Sequence, residues 1–303
     1  MKLPEEVNIV EIGPRDGLQN EPMFLDTDKK IRLINQLVES GFKEIEATSF
    51  VHPKWIPNLA DAEKVMAGIR DLPATFFALV PNERGYERAI QSGVDGISFV
   101  LSATDSHSKK NLNTTTKESL KQLAPLVEQA KKDRLKFRAS VSTVFGCPFE
   151  GNPGLEKIES LVSELYQIGF KRIVLCDTIG IANPKQVYNW MKKLINDFPN
   201  IEFELHFHDT YGRGLANVLA GIQAGVKSFD SSIGGLGGCP YAPGATGNIS
   251  TEDVVSLLIE MNIKTGINMK KLLETSNLLQ NFLDKELDSH IWKVSRARKR
   301  NGG

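Results

Sequence analysis

Eight times along this chain a short run rich in β-branched and aromatic residues gives way to a longer amphipathic segment, and no other feature narrows the fold as much. The strand-like runs fall at 8–12, 44–49, 74–80, 96–101, 137–145, 172–177, 202–207 and 228–233. Between them the apolar period becomes helical. Within 29–40, Ile31, Leu33, Ile34, Leu37 and Val38 recur at helical spacing, and Gly41 follows as a stop. Ser92-Gly93, Ile168-Gly169 and Ala224-Gly225 each close a later helix just before the next strand. This alternation excludes a sandwich or a helical bundle. Eight βα units in about 240 residues match an α/β fold of the closed (β/α)8 TIM-barrel type. An open, doubly wound sheet is the second choice, because local patterns do not report closure.

Past Asp253 the chain reads as helical, and Leu257, Leu258, Leu272, Leu273, Leu278, Leu279 and Phe282 can pack these additional C-terminal helices on the barrel. Residues 1–285 are therefore expected to form one catalytic domain, and 286–303 a basic, solvated C-terminal tail. Lys plus Arg and Asp plus Glu balance at 37 each, so no overall field favours nucleic acid or an anionic membrane. No apolar run reaches the roughly 18 residues that a membrane span needs. The chain enters its first strand almost at once, which points to no leader and a cytoplasmic location. The three cysteines, Cys147, Cys176 and Cys239, are an odd number in no ligand spacing, as suits a reducing compartment.

Reactive groups of such barrels sit at the C-terminal strand ends and in the loops that follow. His206 and His208 end the seventh strand, and positions i and i+2 of a strand share a face about 7 Å apart, close enough for two imidazoles to meet one ion. An octahedral ion wants oxygen ligands as well. Asp16, from the strand that closure would bring alongside, supplies a hard one, and Asn248 can add a carbonyl. This mixed N/O set without thiolate points to Mg²⁺ or Mn²⁺, with zinc left open. Arg15 beside Asp16 suits an anionic oxygen that develops during reaction, such as an enolate. Glu46 and Gln19, at neighbouring strand ends, can orient Arg15 or bond substrate. The glycine-rich stretch 234–248 carries Cys239, a candidate acid on a mobile loop, whereas Cys147 and Cys176 read as buried fillers. Pro240 at the third place breaks a dinucleotide fingerprint and no Gly-Lys-Ser/Thr follows, so no organic cofactor is expected.

Assembled, these residues resemble the 3-hydroxy-3-methylglutaryl-CoA lyases of the DRE-TIM metallolyase superfamily over about Val7 to Leu279. The matching stretches are Gly13-Pro-Arg-Asp-Gly-Leu-Gln-Asn20, Glu46 to Val51 with Pro53-Lys54-Trp55, Gly146-Cys-Pro-Phe-Glu-Gly151 and Asp177-Thr-Ile-Gly180. His206-Phe-His-Asp-Thr-Tyr-Gly212 and Gly235-Leu-Gly-Gly-Cys-Pro-Tyr-Ala-Pro-Gly-Ala-Thr-Gly-Asn248 are stronger still. The resemblance implies metal ligands Asp16, His206, His208 and Asn248, catalytic Arg15 and Cys239, and a retro-Claisen cleavage into acetyl-CoA and acetoacetate. It implies an acyl-CoA as the partner that binds, with Lys109 and Lys110 expected at the CoA phosphates. His206 or a carboxylate is expected to take the substrate's hydroxyl proton. A homodimer or larger homo-oligomer is expected by analogy with other barrels. Relatives that act on longer 3-hydroxy-3-isoprenylglutaryl-CoA esters, Claisen-type synthases and 4-hydroxy-2-oxo acid aldolases are the rival readings within the superfamily, and a non-catalytic scaffold the rival outside it.

Overall fold

The computed structural model describes residues 3–238 and 247–300. Eight parallel strands close on themselves in sequence order: β1 (Asn8–Glu11), β2 (Glu44–Ser49), β3 (Thr75–Val80), β4 (Gly96–Ser102), β5 (Lys136–Ser142), β6 (Arg172–Asp177), β7 (Glu202–Phe207) and β8 (Ser228–Ser231). Closure rests on β1 pairing with β8, where Asn8 lies opposite Ser228 and Glu11 opposite Ser231. The open sheet is thereby excluded, and β1 brings its C-terminal end next to that of β8.

Helices α1 (Thr27–Glu39), α2 (Ala62–Ile69), α3 (Glu83–Gln91), α4 (Asp105–Leu112), α5 (Thr116–Lys132), α6 (Leu155–Ile168), α7 (Pro184–Asp197) and α8 (Gly214–Ala224) surround the barrel. The stripe expected on α1 buries Leu33, Ile34 and Leu37, and Gly169 and Gly225 end α6 and α8 in the left-handed conformation. Between strands and helices lies the apolar core, with Ile97, Phe99, Leu205 and Phe229 fully covered.

Two strands are shorter than their apolar runs. β5 stops at Ser142 because Thr143 takes φ +60° and gives its N–H to Thr178 Oγ1 at 2.8 Å. β8 stops at Ser231, and Ile233–Gly235 forms a 3-10 turn in which Gly234 takes φ +66°.

α9 (Thr251–Glu260) and α10 (Met269–Leu283) complete the fold, with α10 packed on α1. The stretch from 286 on, expected as a solvated tail, instead carries α11 (His290–Arg300) packed on α9. Trp292 anchors it, 1% exposed, with its indole N–H on Asn277 Oδ1 at 3.0 Å. Asp253 accepts the N–H groups of His290 and Ile291 at its start. Lys293 and Arg298 still face solvent, so the basic composition describes only the outer side of this helix. No helix among the described residues is long and apolar enough to cross a membrane.

Inside the barrel the lining is charged. Arg138 of β5, fully buried, donates to Glu46 of β2 at 2.6 Å, Asp230 of β8 at 2.9 Å, Glu204 of β7 and the Ser98 hydroxyl of β4 at 2.8 Å. Beneath it Arg172 bridges Glu44 and Glu204, and both guanidiniums lie over the Phe77 ring. Deleting one partner of such a buried network strands the others and typically costs ~3–5 kcal/mol.

Candidate active site

Directly after β1 the backbone winds into one π-helical turn, Gly13–Gly17, in which Asp16 N–H reaches back to Ile12 O at 2.7 Å. The turn carries Arg15 and Asp16 into the mouth of the barrel. From β7, His206 and His208 arrive on the same side, their ring centroids 5.2 Å apart. Ligand atoms of Asp16, His206 and His208 all lie within 4.8 Å of one another. Asn248 joins them through an isolated antiparallel bridge to His208, and donates Nδ2 to Asp16 Oδ2 at 2.7 Å and to Leu236 O at 2.9 Å. Gly237 makes that approach possible: with φ +104°, an added Cβ would sit 2.4 Å from Asn248 Nδ2 and 3.1 Å from Asp16 O.

Two atoms of this cluster test whether a cation fits. Nδ1 of His208 and Oδ1 of Asn248 are buried with no hydrogen-bond partner among the described residues. Both can accept, and both stand beside a carboxylate. Burial by itself would raise the Asp16 carboxyl, yet the Arg15 guanidinium outweighs it, helped by His206 and His208 at the acid pH where they are protonated, and the group is held well below the usual carboxylate range. Burial lowers His206 and pushes His208 down to about 4, so both rings are neutral at pH 7. An ionised carboxylate, two neutral imidazoles and an amide oxygen without a donor make a ligand set that a hard divalent ion satisfies.

Arg15 donates from Nε to Glu46 and from Nη1 to Asp16, which fixes the plane of its guanidinium. Glu46, also bonded to Ser98 and Arg138, is fully buried and held below its ordinary range despite desolvation. Its place is behind Arg15, and it does not line the cavity. His206 turns Nδ1 to Asp230 Oδ2 at 3.2 Å, leaving one nitrogen toward the cluster.

The site opens into a cavity of about 410 Å³ whose lining includes Arg15, Asp16, Gln19, His206, His208 and Asp230. Cys176, expected only as filler, also lines it, its thiol pushed up by burial. Lys109 and Lys110 do not line it. They are exposed on α4, with Lys110 Nζ 4.0 Å from the Phe149 ring centroid, whereas Asn111 and Leu112 of the same helix reach the wall. Cys239 lies outside the described residues.

Asp230 and Arg138 were not among the residues read from sequence. Each is a charge inside a strand run, on the same parity as neighbouring small polar residues: Arg138 with Ser140 and Ser142, Asp230 with Ser228. That inward parity was the available signal.

Comparison with known proteins shows what the whole chain is similar to. A family model described as HMGL-like matches residues 6–279. Hydroxymethylglutaryl-CoA lyase YngG of Bacillus subtilis is 46% identical over 98% of this chain and 100% of its own. The 3-hydroxy-3-isohexenylglutaryl-CoA/hydroxymethylglutaryl-CoA lyase of Pseudomonas aeruginosa is 40% identical over 98% of this chain and 100% of its own. Among solved structures, an HMG-CoA lyase of Acinetobacter baumannii in complex with coenzyme A and 3-methylmalate superposes with a TM-score of 0.90 at 42% identity, covering 95% of each chain.

Proposed function

Because this chain belongs to the HMGL-like family, we propose that it is a carbon-carbon lyase that cleaves 3-hydroxy-3-methylglutaryl-CoA into acetyl-CoA and acetoacetate. The observation that carries the reading is the convergence of Asp16, His206 and His208 from the first and seventh strands, within 4.8 Å, beside Arg15 in a cavity.

Asp16, His206, His208 and the Oδ1 of Asn248 are the ligands in this reading, with Mg²⁺ or Mn²⁺ favoured by three N/O side-chain types and no thiolate. Such an ion, when bound, supplies Lewis-acid polarisation of the substrate's hydroxyl and carboxylate oxygens. Arg15 presents a fixed cation to the thioester oxygen as charge collects there on breaking the C–C bond. Its pairing with Glu46 and Asp16 means that it does not have to reorganise during the reaction. Cys239 is proposed to deliver the proton that the enolate carbon takes up. With Nδ1 on Asp230 and its other nitrogen toward the cluster, His206 is supported as a ligand, and His206 or a carboxylate is proposed to take the substrate's hydroxyl proton. Gln19 is proposed to bond substrate and Glu46 to orient Arg15. Lys109 and Lys110 are supported only as contacts outside the cavity, where a CoA phosphate would emerge. The reading further includes a cytoplasmic homodimer or larger homo-oligomer, whose assembly sedimentation of the purified protein tests.

A coupled assay for acetoacetate release from 3-hydroxy-3-methylglutaryl-CoA tests the activity, run beside a 2-oxo acid plus acetyl-CoA to separate lyase from synthase. Chelation is expected to abolish release, and Mg²⁺ or Mn²⁺ to restore it. Full activity in metal-free protein would end the ligand assignment.

A further inference from the structure

We propose that Asp230 is a positioning residue for the metal centre, setting the tautomer and orientation of His206, and that Arg138 fixes Asp230 for that task. The proposal rests on the metal reading above and concerns a residue that contributes no ligand. His206 Nδ1 lies 3.2 Å from Asp230 Oδ2, while the other carboxylate oxygen accepts Arg138 Nη1 at 2.9 Å. One oxygen is thus anchored and the other aimed, and the Glu204 carboxyl, held by the same guanidinium, is also bonded to Asp230. Arg138 has no freedom to let Asp230 swing, because it is fully buried and also bound by Glu46, Glu204 and Ser98.

A ring whose Nδ1 carries the proton for Asp230 has a lone pair only on Nε2, the nitrogen left for the cluster. Ligating histidines generally give their second N–H to a carboxylate or carbonyl, and loss of that partner typically weakens metal affinity by ~10–100-fold. His208 differs in which nitrogen is free: its Nδ1 has no partner among the described residues and is the atom open to the ion. The same hub reaches the other half of the site: Arg138 holds Glu46, and Glu46 holds Arg15. One buried guanidinium therefore registers the ligand side of the centre against the cation side.

Two measurements test this, neither relying on turnover alone. In metal-stripped wild-type protein labelled with ¹⁵N at histidine, His206, identified by its loss in His206→Gln, is expected as the Nδ1–H tautomer. An Nε2–H ring would overturn the proposal, whatever the variants do. Mn²⁺ binding is then read by the electron paramagnetic resonance signal of the free ion. Asp230→Ala is expected to bind about 10–100-fold more weakly than wild type, with most of its kcat recovered at saturating Mn²⁺. Asp230→Asn, which keeps a carbonyl acceptor, is expected to regain most of the lost affinity. An affinity within twofold of wild type in a folded Asp230→Ala protein would refute the positioning role and leave the metal reading standing. Wild-type protein that binds no Mn²⁺ would remove both.

Discussion

The Arg15 guanidinium is already committed, with Nε on Glu46 and Nη1 on Asp16. A lysine keeps the charge but cannot reach both carboxylates from one planar fork. Arg15→Lys is therefore expected to lower kcat by roughly 10²-fold or more while the thermal midpoint moves little, as stopped assays and a melting curve would show. Near-normal turnover would make Arg15 a tie between Asp16 and Glu46 and nothing more. Cys239→Ala is expected to fold normally and lose kcat by orders of magnitude, since no other proton donor is assigned to the enolate carbon. Single-turnover kinetics with unchanged rate would return that thiol to a structural role. At this scale the sequence was legible where chemistry concentrates in strand ends: Arg15, Asp16, His206, His208 and Asn248 all come to one place. Asp230 was harder to read, because in a strand of four residues its inward parity rests on Ser228 alone.

Helix and strand positions followed from apolar periodicity, and the departures have local causes. Thr143 adopts positive φ inside its strand-like run and Gly234 just past the end of its own, so apolar content outlasts the ladder at both places. The C-terminal stretch departs for the opposite reason, since five Lys and Arg residues between His290 and Arg300 hide one buried indole. Trp292→Ala should test how much that indole holds. A fully buried Trp truncated to Ala typically costs 3–5 kcal/mol, and here it also strands the Asn277 carbonyl. Urea unfolding is expected to show a loss of about 3 kcal/mol or more. The folded fraction should retain its kcat, because α11 packs on α9 and does not reach the cavity. A midpoint unchanged by the substitution would mean that α11 is a dispensable appendage.

Closure of the barrel was beyond any local pattern, and the buried acid that seals it offers a test on the whole molecule. Glu11 ends β1 and accepts the N–H of Gly13 at 2.7 Å, the N–H of Ile233 at 2.9 Å and the Thr251 hydroxyl at 2.7 Å. It thereby ties the turn bearing Arg15 to the start of the glycine-rich loop and to α9. Burial pushes its carboxyl up to about 8, outweighing those hydrogen bonds, with Glu252 adding to the rise. In the unfolded chain the same group titrates near 4.5. Between these values the folded protein holds a proton that the unfolded chain has released. Raising the pH therefore favours unfolding: the contribution from this group is complete below about 4.5 and is lost as pH climbs through about 8. The slope is at most about 1.4 kcal/mol per pH unit. Glu11→Gln removes the titration and keeps an acceptor for the two backbone groups. Urea unfolding from pH 5 to 8.5 is expected to show wild type losing a few kcal/mol relative to Glu11→Gln. Asp177, whose carboxyl burial raises to about 7, tilts both proteins equally and cancels in the comparison. Parallel stability curves would mean that Glu11 is ionised in the fold, and that its three donors fully compensate its burial.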